Sequence, residues 1–559
     1  MSRSLDLLAL GEGTASDLAV ICPDGTALTH GALRSRLAEC RTALSGPAKA
    51  LVVVASPRTL TGLVGYLAAV ETGHAVILTE ESDLALTSDL IAAYAPELII
   101  TMPTGPLADL AAKAGYRLRT RAPIPVWKAP EWCSSDPIHP DLALLVRTSG
   151  SLGAAKTVRL SFDNLRANAL AIADALRLRG SDRTMTALPL DYSFGLSMVN
   201  SALVAGGAVA LGSHSPSSSL FWDHADEVGA TCVGAVPTTY KLLRARGWDP
   251  GRHPSLRLLL HAGGALGMET FAYHHARMTA KGGEFISMYG QTEATARIAC
   301  LPAALAPSYS GSVGSAIPGG RITIEKSAGV SAADGDVGQI VFEGPNVMMG
   351  YAMCRGDLAA GDMQGSVLRT GDLGYLRDGY LYVTGRMDRQ VKVLGRRIDL
   401  DQLEKSLEDQ GLMAAMDVIG DEQLAVVAEP AAHALDACRA ITSRLRLPSS
   451  SVRLITIGSL PYTGRGKIDR PAVRRILDGC ALRQLCDARK GCSEGPQVVR
   501  PNVWRKEPRW ETPAEDLTGR TARYPLRIRP FPPPRLCSVS GPTGATVWAA
   551  RSSLGSTGG

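Results

Sequence analysis

The stretch TSGSLGAAK combines small residues, hydroxyls and one lysine between two apolar, strand-like runs, LALLVR and TVRLS. Gly150 and Gly153 tolerate backbone angles that other residues avoid, so such a loop can turn its amide groups toward an anion. Thr148 and Ser149 add hydroxyl donors, and Lys156 adds a positive charge. The stretch predicts a phosphate-binding loop, with an ordinary hairpin connection as the alternative. The common nucleotide-binding pattern G-x-x-x-x-G-K-[ST] is absent.

A second stretch, MYGQTEA, follows a strand-like run and carries an aromatic ring and a carboxylate. The ring of Tyr289 can stack on a nucleobase, and the carboxylate of Glu293 can hold Mg²⁺ beside phosphates. The alternative is a polar turn after a buried strand.

Two later stretches add further charges in turns. Asp372, between Gly371 and Leu373, is placed to accept hydrogen bonds from vicinal hydroxyls, and Arg386 lies at a suspected domain boundary. Lys467 lies in a loop of Gly and Thr, where a mobile cation could neutralise a reacting phosphate and carboxylate. The alternatives are hairpin turns with solvated charges and an ordinary surface lysine.

Taken in order, TSGSLGAAK, YGQTE, TGDLGY, GRMDRQVKVLGRRID and GKIDR resemble the motifs of the adenylate-forming enzymes. That superfamily includes acyl-CoA synthetases, adenylation domains of nonribosomal peptide synthetases, and luciferases. The resemblance covers roughly residues 10–479. It implies an acid–thiol ligase that uses ATP and Mg²⁺ to convert a carboxylic acid to an acyl-adenylate and pyrophosphate. The acyl group would then pass to a pantetheine thiol, on CoA or on a carrier protein.

The resemblance also implies roles for residues around the nucleotide. The β- and γ-phosphates would be held by Thr148, Ser149, Gly150, Ser151, Gly153 and Lys156. Tyr289, with Gly290 beside it, would flank the adenine. Asp372, helped by Arg386, would bind the ribose hydroxyls.

For the chemistry itself, the resemblance implies that Thr292 contacts the α-phosphate and that Glu293 holds Mg²⁺. Lys467 would bridge the substrate carboxylate and the α-phosphate. Asp388 matches the hinge position. Rotation about it would remove Lys467 and bring Gly395 over the site, where a glycine leaves room for the pantetheine arm.

Two residues depart from the family's loop, which usually has Thr where this chain has Leu152 and Pro where it has Ala155. A lost hydroxyl beside a phosphate could weaken ATP binding by about 0.5–3 kcal/mol. A catalytically impaired nucleotide-binding homologue is therefore an alternative, opposed by the presence of Lys467, Glu293 and Asp372.

The acyl pocket is predicted from the ends of successive strand-like runs. Its candidate residues are Tyr192, Ser193, Phe194, Val236, Gly263 and Ala265. The only nearby acid is Asp191, which could equally be structural, so no clear anchor for an α-ammonium group is present. We therefore expect a fatty, aryl or small branched acid, with an amino-acid-activating enzyme as the alternative.

The elements that must position these residues follow an α/β pattern. Residues 49–145 alternate apolar runs with helical patterns, which indicates a parallel sheet, and the alternation resumes at DNLRANALAIADALRL, with Asp163 as the expected N-cap. After about residue 310, GQIVFEG and GYLYVTGR alternate like antiparallel strands, and DRQVKVLGRRIDLDQLEKSLED predicts a hairpin that leads into a helix. The predicted fold is a large AMP-binding N-terminal domain of stacked mixed sheets with flanking helices (1–385), a small mobile α+β lid domain (386–479) and a tail (480–559).

The tail differs in composition, with 10 of the 34 prolines and no sustained period. A disordered or loosely ordered extension is the favoured interpretation. Translation in a wrong reading frame and a basic segment that binds an acidic partner are the alternatives.

Composition excludes several classes of function. From residue 481 onward, 11 Arg and 2 Lys against 6 acidic residues give a charge of +7, which leaves −1 of the chain's +6 for the preceding 480 residues. The globular part therefore has no nucleic-acid-binding character. No apolar run reaches the length of a membrane span, and no secretory signal is evident. Eleven scattered cysteines without metal-ligand spacing indicate free thiols in a reducing compartment, so we expect a cytoplasmic protein.

Overall fold

A computed structural model describes residues 4–11, 13–55, 58–131, 137–147, 156–327, 329–394, 396–419, 423–445, 447–448, 451–463, 467–487 and 498–499. The described residues all fall in one compact unit. Among the described residues, no helix is both long and apolar enough to cross a membrane.

The first third of the chain alternates strands and helices. Its elements are β1 (Leu18–Ile21), β2 (Ala27–Thr29), α1 (His30–Leu44), β3 (Leu51–Ala55), α2 (Leu60–Glu71), β4 (Ala75–Thr79), α3 (Leu84–Tyr94), β5 (Leu98–Ile100), α4 (Pro106–Lys113), β6 (Arg117–Thr120), β7 (Val126–Lys128) and β8 (Leu142–Arg147).

The same alternation continues after the loop at residue 148. The elements are β9 (Thr157–Ser161), α5 (Phe162–Ala175), β10 (Arg183–Met185), α6 (Ser193–Val204), β11 (Ala208–Ala210), α7 (Ser219–Glu227), β12 (Cys232–Ala235), α8 (Pro237–Ala245), β13 (Leu258–His261), α9 (Met268–Ala280), β14 (Glu284–Tyr289), β15 (Ala299–Leu301) and β16 (Ser315–Ala316).

The rest of the described chain is richer in antiparallel strands. It contains β17 (Arg321–Ser327), β18 (Val330–Ser331), β19 (Gly338–Glu343), β20 (Gly350–Ala352), β21 (Val367–Arg377), β22 (Tyr380–Arg386), β23 (Gln390–Val393), β24 (Arg396–Asp399), α10 (Leu400–Asp409), β25 (Ala414–Ile419), β26 (Gln423–Ala428), α11 (Ala434–Leu445), β27 (Val452–Thr456), α12 (Arg470–Asp487) and β28 (Val498–Val499).

Three larger sheets use the strands up to β22. A nine-stranded sheet has the order β16-β15-β14-β13-β12-β10-β11-β1-β2, and an eight-stranded sheet has the order β20-β9-β8-β4-β3-β5-β7-β6. A five-stranded antiparallel sheet, β18-β17-β19-β21-β22, stands beside them. Two smaller sheets, β23-β24 and β25-β26-β27-β28, follow. The predicted α/β class with mixed sheets is confirmed.

The core explains why these segments form strands and helices. Every residue of β3, LVVVA, is buried, and β3 pairs in parallel with β4 and β5. A continuous apolar run is typical of a parallel strand covered on both faces. The largest apolar cluster joins the nine- and eight-stranded sheets through helices α1, α2, α5 and α6, so these helices fill the space between the two sheets.

Two local predictions have clear outcomes. The stretch 388–409 forms a hairpin, β23-β24, that leads into α10, as predicted. The prediction of Asp163 as a helix N-cap is wrong, because α5 begins at Phe162 and its cap is Ser161. The Ser161 side chain accepts a hydrogen bond from the Asn164 backbone N–H at 3.0 Å, and the Asn164 side chain accepts one from the Ser161 N–H at 2.8 Å. This reciprocal capping box satisfies two backbone donors, whereas Asp163 lies in the first helical turn.

Candidate functional site

Three neighbouring parallel strands end at one edge of the nine-stranded sheet. Strands β12, β13 and β14 pair in parallel, and Val236, Gly263 and Tyr289 lie at or just beyond their carboxyl ends. In open α/β sheets this edge is where ligands bind. The fold therefore gathers residues from three separate motifs at one place.

A tight turn joins β14 to β15 and carries the YGQTE motif. A Cβ on Gly290 would lie 1.9 Å from the Ala296 carbonyl oxygen, so only glycine fits where the chain folds back on itself. Thr295 and Ala296 have φ of 56° and 121°, values that side chains rarely adopt and that mark a tightly constrained segment. The buried Asn346 side chain holds the turn by donating to the carbonyls of Ala294 at 2.8 Å and Arg297 at 2.9 Å.

A tyrosine–carboxylate–guanidinium group lies at the start of this turn. The Tyr289 hydroxyl donates a 2.5 Å hydrogen bond to Asp372 Oδ2, and Arg386 Nε lies 3.2 Å from Asp372 Oδ1. Asp372 and Arg386 face each other directly across β21 and β22. Strand pairing therefore sets this ion pair, and the structure brings together all three residues predicted to surround adenine and ribose.

Burial shapes the acid–base behaviour of this group. Burial raises the pKa of Asp372, while Arg386, the Tyr289 hydrogen bond and Lys467 act in the opposite direction. Burial and the Asp372 charge hold the pKa of Tyr289 well above its ordinary value. Tyr289 therefore remains a protonated donor at neutral pH, and the carboxylate is the acceptor.

The second part of the turn presents Thr292 and Glu293. Glu293 Oε1 accepts a 2.9 Å hydrogen bond from the Tyr351 hydroxyl, and the Lys156 ammonium lies 5.0 Å from the Tyr351 ring centroid. Burial and the Glu293 charge raise the pKa of Tyr351, which keeps it a donor. Tyr351 thus connects the acid predicted to hold Mg²⁺ with the lysine predicted to bind phosphate, a link that no sequence motif indicated.

The carboxylate of Glu293 suits the Mg²⁺ ion that the sequence motifs predict. Within the described part of the chain, no cluster of three His, Cys, Asp or Glu side chains forms a closed metal site. Mg²⁺ is usually bound through one or two carboxylates together with substrate phosphates and water, rather than by an all-protein cage. Glu293, oriented by Tyr351, fits that mode of binding.

Lys467 reaches the same site from the loop before α12. Its Nζ lies 5.9 Å from the Tyr192 ring centroid, and its charge acts on Asp372. The loop is pinned by a 2.7 Å hydrogen bond from the Thr463 N–H to the Lys467 carbonyl. The structure therefore places Lys467 among the residues of the larger sheets, over the predicted acyl pocket.

The predicted acyl-pocket residues converge around Tyr192. A Cβ on Gly263, where φ is +91°, would lie 2.7 Å from the Tyr192 hydroxyl and 3.3 Å from Val236 Cγ1. The Phe194 ring lies 6.3 Å from that of Tyr192. Ser193 Oγ lies 3.2 Å from Thr292 Oγ1, which links the pocket to the YGQTE turn.

Ala265, the remaining candidate, is exposed two residues beyond Gly263. The predicted loop residues 148–153, with Leu152 and Ala155, and the predicted acceptor-site Gly395 lie outside the described residues. Asp388 Oδ1 lies 3.4 Å from Arg386 Nε, so the predicted hinge residue is adjacent to a residue predicted to help bind ribose.

Sequence reasoning missed Arg297. It lies five residues after Thr292 in ARIAC, an apolar context that does not distinguish a functional arginine from a structural one. Its guanidinium is buried in the interior, 4.6 Å above the Phe194 ring. The sequence feature that could have pointed to it is an arginine among small and apolar residues, just before a buried strand.

Comparisons with known proteins identify one family. The model of the family described as "AMP-binding enzyme" matches residues 15–352. The chain is 33% identical to a sulfoacetate–CoA ligase of Cupriavidus necator, over 60% of this chain and 67% of the relative. It is 29% identical to an indoleacetate–CoA ligase of Aromatoleum aromaticum, over 61% of this chain and 68% of the relative.

A solved structure shares the fold. The crystal structure of ATP-bound MatB from Rhodopseudomonas palustris superposes with a TM-score of 0.68. The match covers 85% of this chain and 99% of that one, at 23% identity. At this identity the likeness concerns architecture.

Proposed function

This chain belongs to the AMP-binding enzyme family, and from that premise we propose which of its residues carry each step of the reaction. It is an AMP-forming acid–thiol ligase. A carboxylate oxygen of the substrate attacks the α-phosphorus of ATP, the bond to the β-phosphate oxygen breaks, and pyrophosphate leaves. A pantetheine thiol then loses its proton to water, its sulfur attacks the acyl carbon, the bond from that carbon to the phosphate oxygen breaks, and AMP leaves.

The observation that carries the residue assignment is the meeting of Tyr289, Asp372 and Lys467, which are far apart in the sequence. We propose that Asp372 accepts hydrogen bonds from the ribose hydroxyls and that Tyr289 covers the adenine. Since Arg386 already pairs with Asp372, the carboxylate is charged and oriented before the nucleotide arrives. Such preorganisation reduces the cost of ordering the site on binding.

The first step brings an anionic carboxylate to an anionic phosphate, so its barrier is largely electrostatic. We propose that Lys467 lies between these two groups and that Lys156 neutralises the outer phosphates. Thr292 donates its hydroxyl to the α-phosphate, supported by Ser193 at 3.2 Å. Fixed donors aimed at developing charge act strongly in a site that excludes water.

The reaction uses ATP with Mg²⁺, and we propose Glu293 as its protein ligand. Bound beside the phosphates, Mg²⁺ supplies charge neutralisation. Tyr351 keeps the carboxylate in one orientation, since its hydroxyl donates to Oε1 at 2.9 Å.

The relatives reported above are CoA ligases, which supports CoA as the acceptor. A carrier protein presents the same pantetheine arm and is the other acceptor to test. We propose that residues 386–479 rotate about Asp388 as a lid between the two steps. We also propose the cytoplasm as the compartment, because the reaction needs ATP and the described cysteines are free thiols.

The test is ATP–pyrophosphate exchange with the full-length protein across fatty, aryl, small branched, dicarboxylic and amino acids. Exchange that depends on one acid class establishes adenylation. CoA and a phosphopantetheinylated carrier protein are then added separately, and the acyl thioester is identified by mass. Absence of exchange with every acid, while ATP still binds, would contradict the proposal and favour the impaired homologue.

A further inference from the structure

Arg297 is an unusual residue for the interior of a protein. Its side chain is 1% exposed, and Nε, Nη1 and Nη2 are all buried without a hydrogen-bond partner among the described residues. Buried polar groups in native proteins are nearly always paired, and an unpaired buried charge is among the costliest arrangements. The guanidinium therefore calls for a partner that the described chain does not supply.

Among the described residues, none that acts on Arg297 is a carboxylate. The groups that act on it are Cys300, Tyr192 and Cys232, and burial raises the pKa of Cys300 to about 11 and that of Cys232 to about 12. Both thiols are therefore neutral at pH 7. Burial lowers the pKa of Arg297 to about 10, so the guanidinium is still a cation at neutral pH. Within the described part of the chain it contacts the Phe194 ring, 4.6 Å away, which offsets only part of the lost hydration.

Arg297 and Lys467 contact different aromatic residues of the predicted acyl pocket. Lys467 Nζ is 5.9 Å from the Tyr192 ring centroid, and the Tyr192 ring is 6.3 Å from the Phe194 ring. Arg297 lies over the Phe194 ring, so each cation is next to a different one of these two neighbouring rings. If Lys467 holds the carboxylate that reacts, Arg297 is placed to meet another part of the same substrate.

The backbone holds Arg297 in this position. Asn346 donates to its carbonyl at 2.9 Å, and the preceding Ala296 has φ of 121°. The strained backbone and the buried guanidinium both lower the free energy of unfolding. Strain of this kind clusters at functional sites.

We propose that Arg297 binds a second anionic group on the substrate, so that the acid this enzyme activates is a dianion with a carboxylate or sulfonate distal to the reacting carboxylate. The inference rests on the proposed function and adds the substrate class. A planar guanidinium pairs with two oxygens of one carboxylate through parallel hydrogen bonds, which suits such a group. An unsubstituted fatty acid would leave the cation unpaired, and the ammonium of an amino acid would be repelled by it.

The experiment uses matched acids and the full-length protein. ATP–pyrophosphate exchange is measured with succinate, glutarate and adipate, each against its monomethyl ester, and with 3-sulfopropanoate against butanoate. The ester keeps the length and removes one charge. Wild type is expected to favour the dianion in at least one pair by about tenfold or more in kcat/KM, because the monoanion leaves a buried cation unpaired. The diacid and sulfonate arms distinguish which anion fits.

Arg297→Met and Arg297→Lys test the residue itself. Met has similar bulk without charge and should remove the preference for the dianion, while Lys should retain part of it. Wild type that favours the monoanion in every pair would overturn the proposal. Unchanged selectivity in Arg297→Met would also overturn the proposal. If that variant also melts at a lower temperature, Arg297 has a structural role instead. If Arg297→Met does not fold, the wild-type pairs and Arg297→Lys still decide.

A binding readout separates this inference from the proposed function. The rise in melting temperature caused by each diacid is measured for wild type and Arg297→Met. A rise that requires Arg297, in a protein without exchange activity, supports the anion site while the ligase proposal fails. If exchange occurs with monoanions alone, the ligase proposal is supported and the anion site is overturned. If there is no exchange and no Arg297-dependent rise in melting temperature, both proposals are overturned.

Discussion

The Tyr289 hydroxyl and the Asp372 carboxylate, 83 residues apart in the sequence, form a 2.5 Å hydrogen bond. The bond joins the end of a strand in the nine-stranded sheet to the middle of a strand in the five-stranded antiparallel sheet. Their relationship defines the proposed nucleotide site, because Arg386 and Lys467 also act on the same carboxylate.

Removing this hydrogen bond should change the pH dependence of ATP use. The ionised form of Asp372 is the one that accepts hydrogen bonds, so kcat/KM for ATP should fall on acidification, with a midpoint above the ordinary carboxyl value of 3.8 because burial raises the pKa. Tyr289→Phe should move that midpoint further up by about one to two pH units, as a hydrogen bond to a charged group contributes about 1.5–3 kcal/mol. Tyr309→Phe, at the stacked Tyr309–Tyr380 pair, is the control. A midpoint that stays in place or moves down in Tyr289→Phe contradicts the prediction.

Lys467→Ala should disable the first half-reaction. Loss of a preorganised donor to a reacting centre typically lowers the rate by about 10²–10³-fold, and ATP–pyrophosphate exchange measures it directly. Thioester formation from a supplied acyl-adenylate should be much less affected, because Lys467 acts before that step. Lys405→Ala, an exposed lysine on α10, is the matched control and should behave as wild type. Equal loss in both half-reactions would indicate a structural role instead.

The Glu293–Tyr351 pair should control the response to Mg²⁺. Glu293→Gln removes the charge that we assign to the metal, so exchange should require a much higher Mg²⁺ concentration. Tyr351→Phe leaves the charge and removes only the orienting hydrogen bond, and partners of this kind typically alter metal affinity by about 10–100-fold. Titrating exchange activity with Mg²⁺ ranks the two variants. Identical Mg²⁺ curves for Glu293→Gln and wild type would remove Glu293 as the ligand.

Asn346 should be important for stability as well as activity. Asn346→Ala leaves the Ala294 carbonyl without this donor and the Arg297 carbonyl with only the longer Asn168 bond, which should cost about 1–3 kcal/mol. Asn168 donates to the Arg297 carbonyl over a longer distance, 3.4 Å, so Asn168→Ala is the matched comparison and should destabilise less. Urea unfolding measures both. The prediction fails if Asn168→Ala is the more destabilising of the two.

A substitution at the predicted hinge should separate the two half-reactions. Proline at Asp388 restricts the backbone of both that residue and the one before it. If the lid rotates about this point, Asp388→Pro should keep exchange activity close to wild type and lower thioester formation by about tenfold or more. Lys405→Pro, in the interior of α10, would break that helix and serves to recognise simple unfolding. Parallel loss of both activities in Asp388→Pro with an unchanged melting temperature would argue against the hinge.

Local chemistry was readable from the sequence where the pattern was short-range. Periodicity and turn residues alone predict the continuous apolar runs of the parallel strands, the hairpin leading into α10 and the strands on either side of the predicted phosphate-binding loop. They did not predict the N-cap of α5, because Ser and Asp are both favourable N-cap residues and the chain offers Ser161 and Asp163. The choice depended on which residue could also receive the Asn164 side chain.

The sequence by itself determined which residue types were available for nucleotide chemistry: a glycine-rich loop, an aromatic, several acids and a mobile lysine, in an order similar to that of one superfamily. Only the tertiary structure decided which of them meet. Strand pairing placed Asp372 opposite Arg386, and close packing of separate elements gave Glu293 its Tyr351 partner and left Arg297 buried without one. Such relationships depend on contacts between residues distant in sequence, and local propensity carries no information about which distant side chains share one buried space.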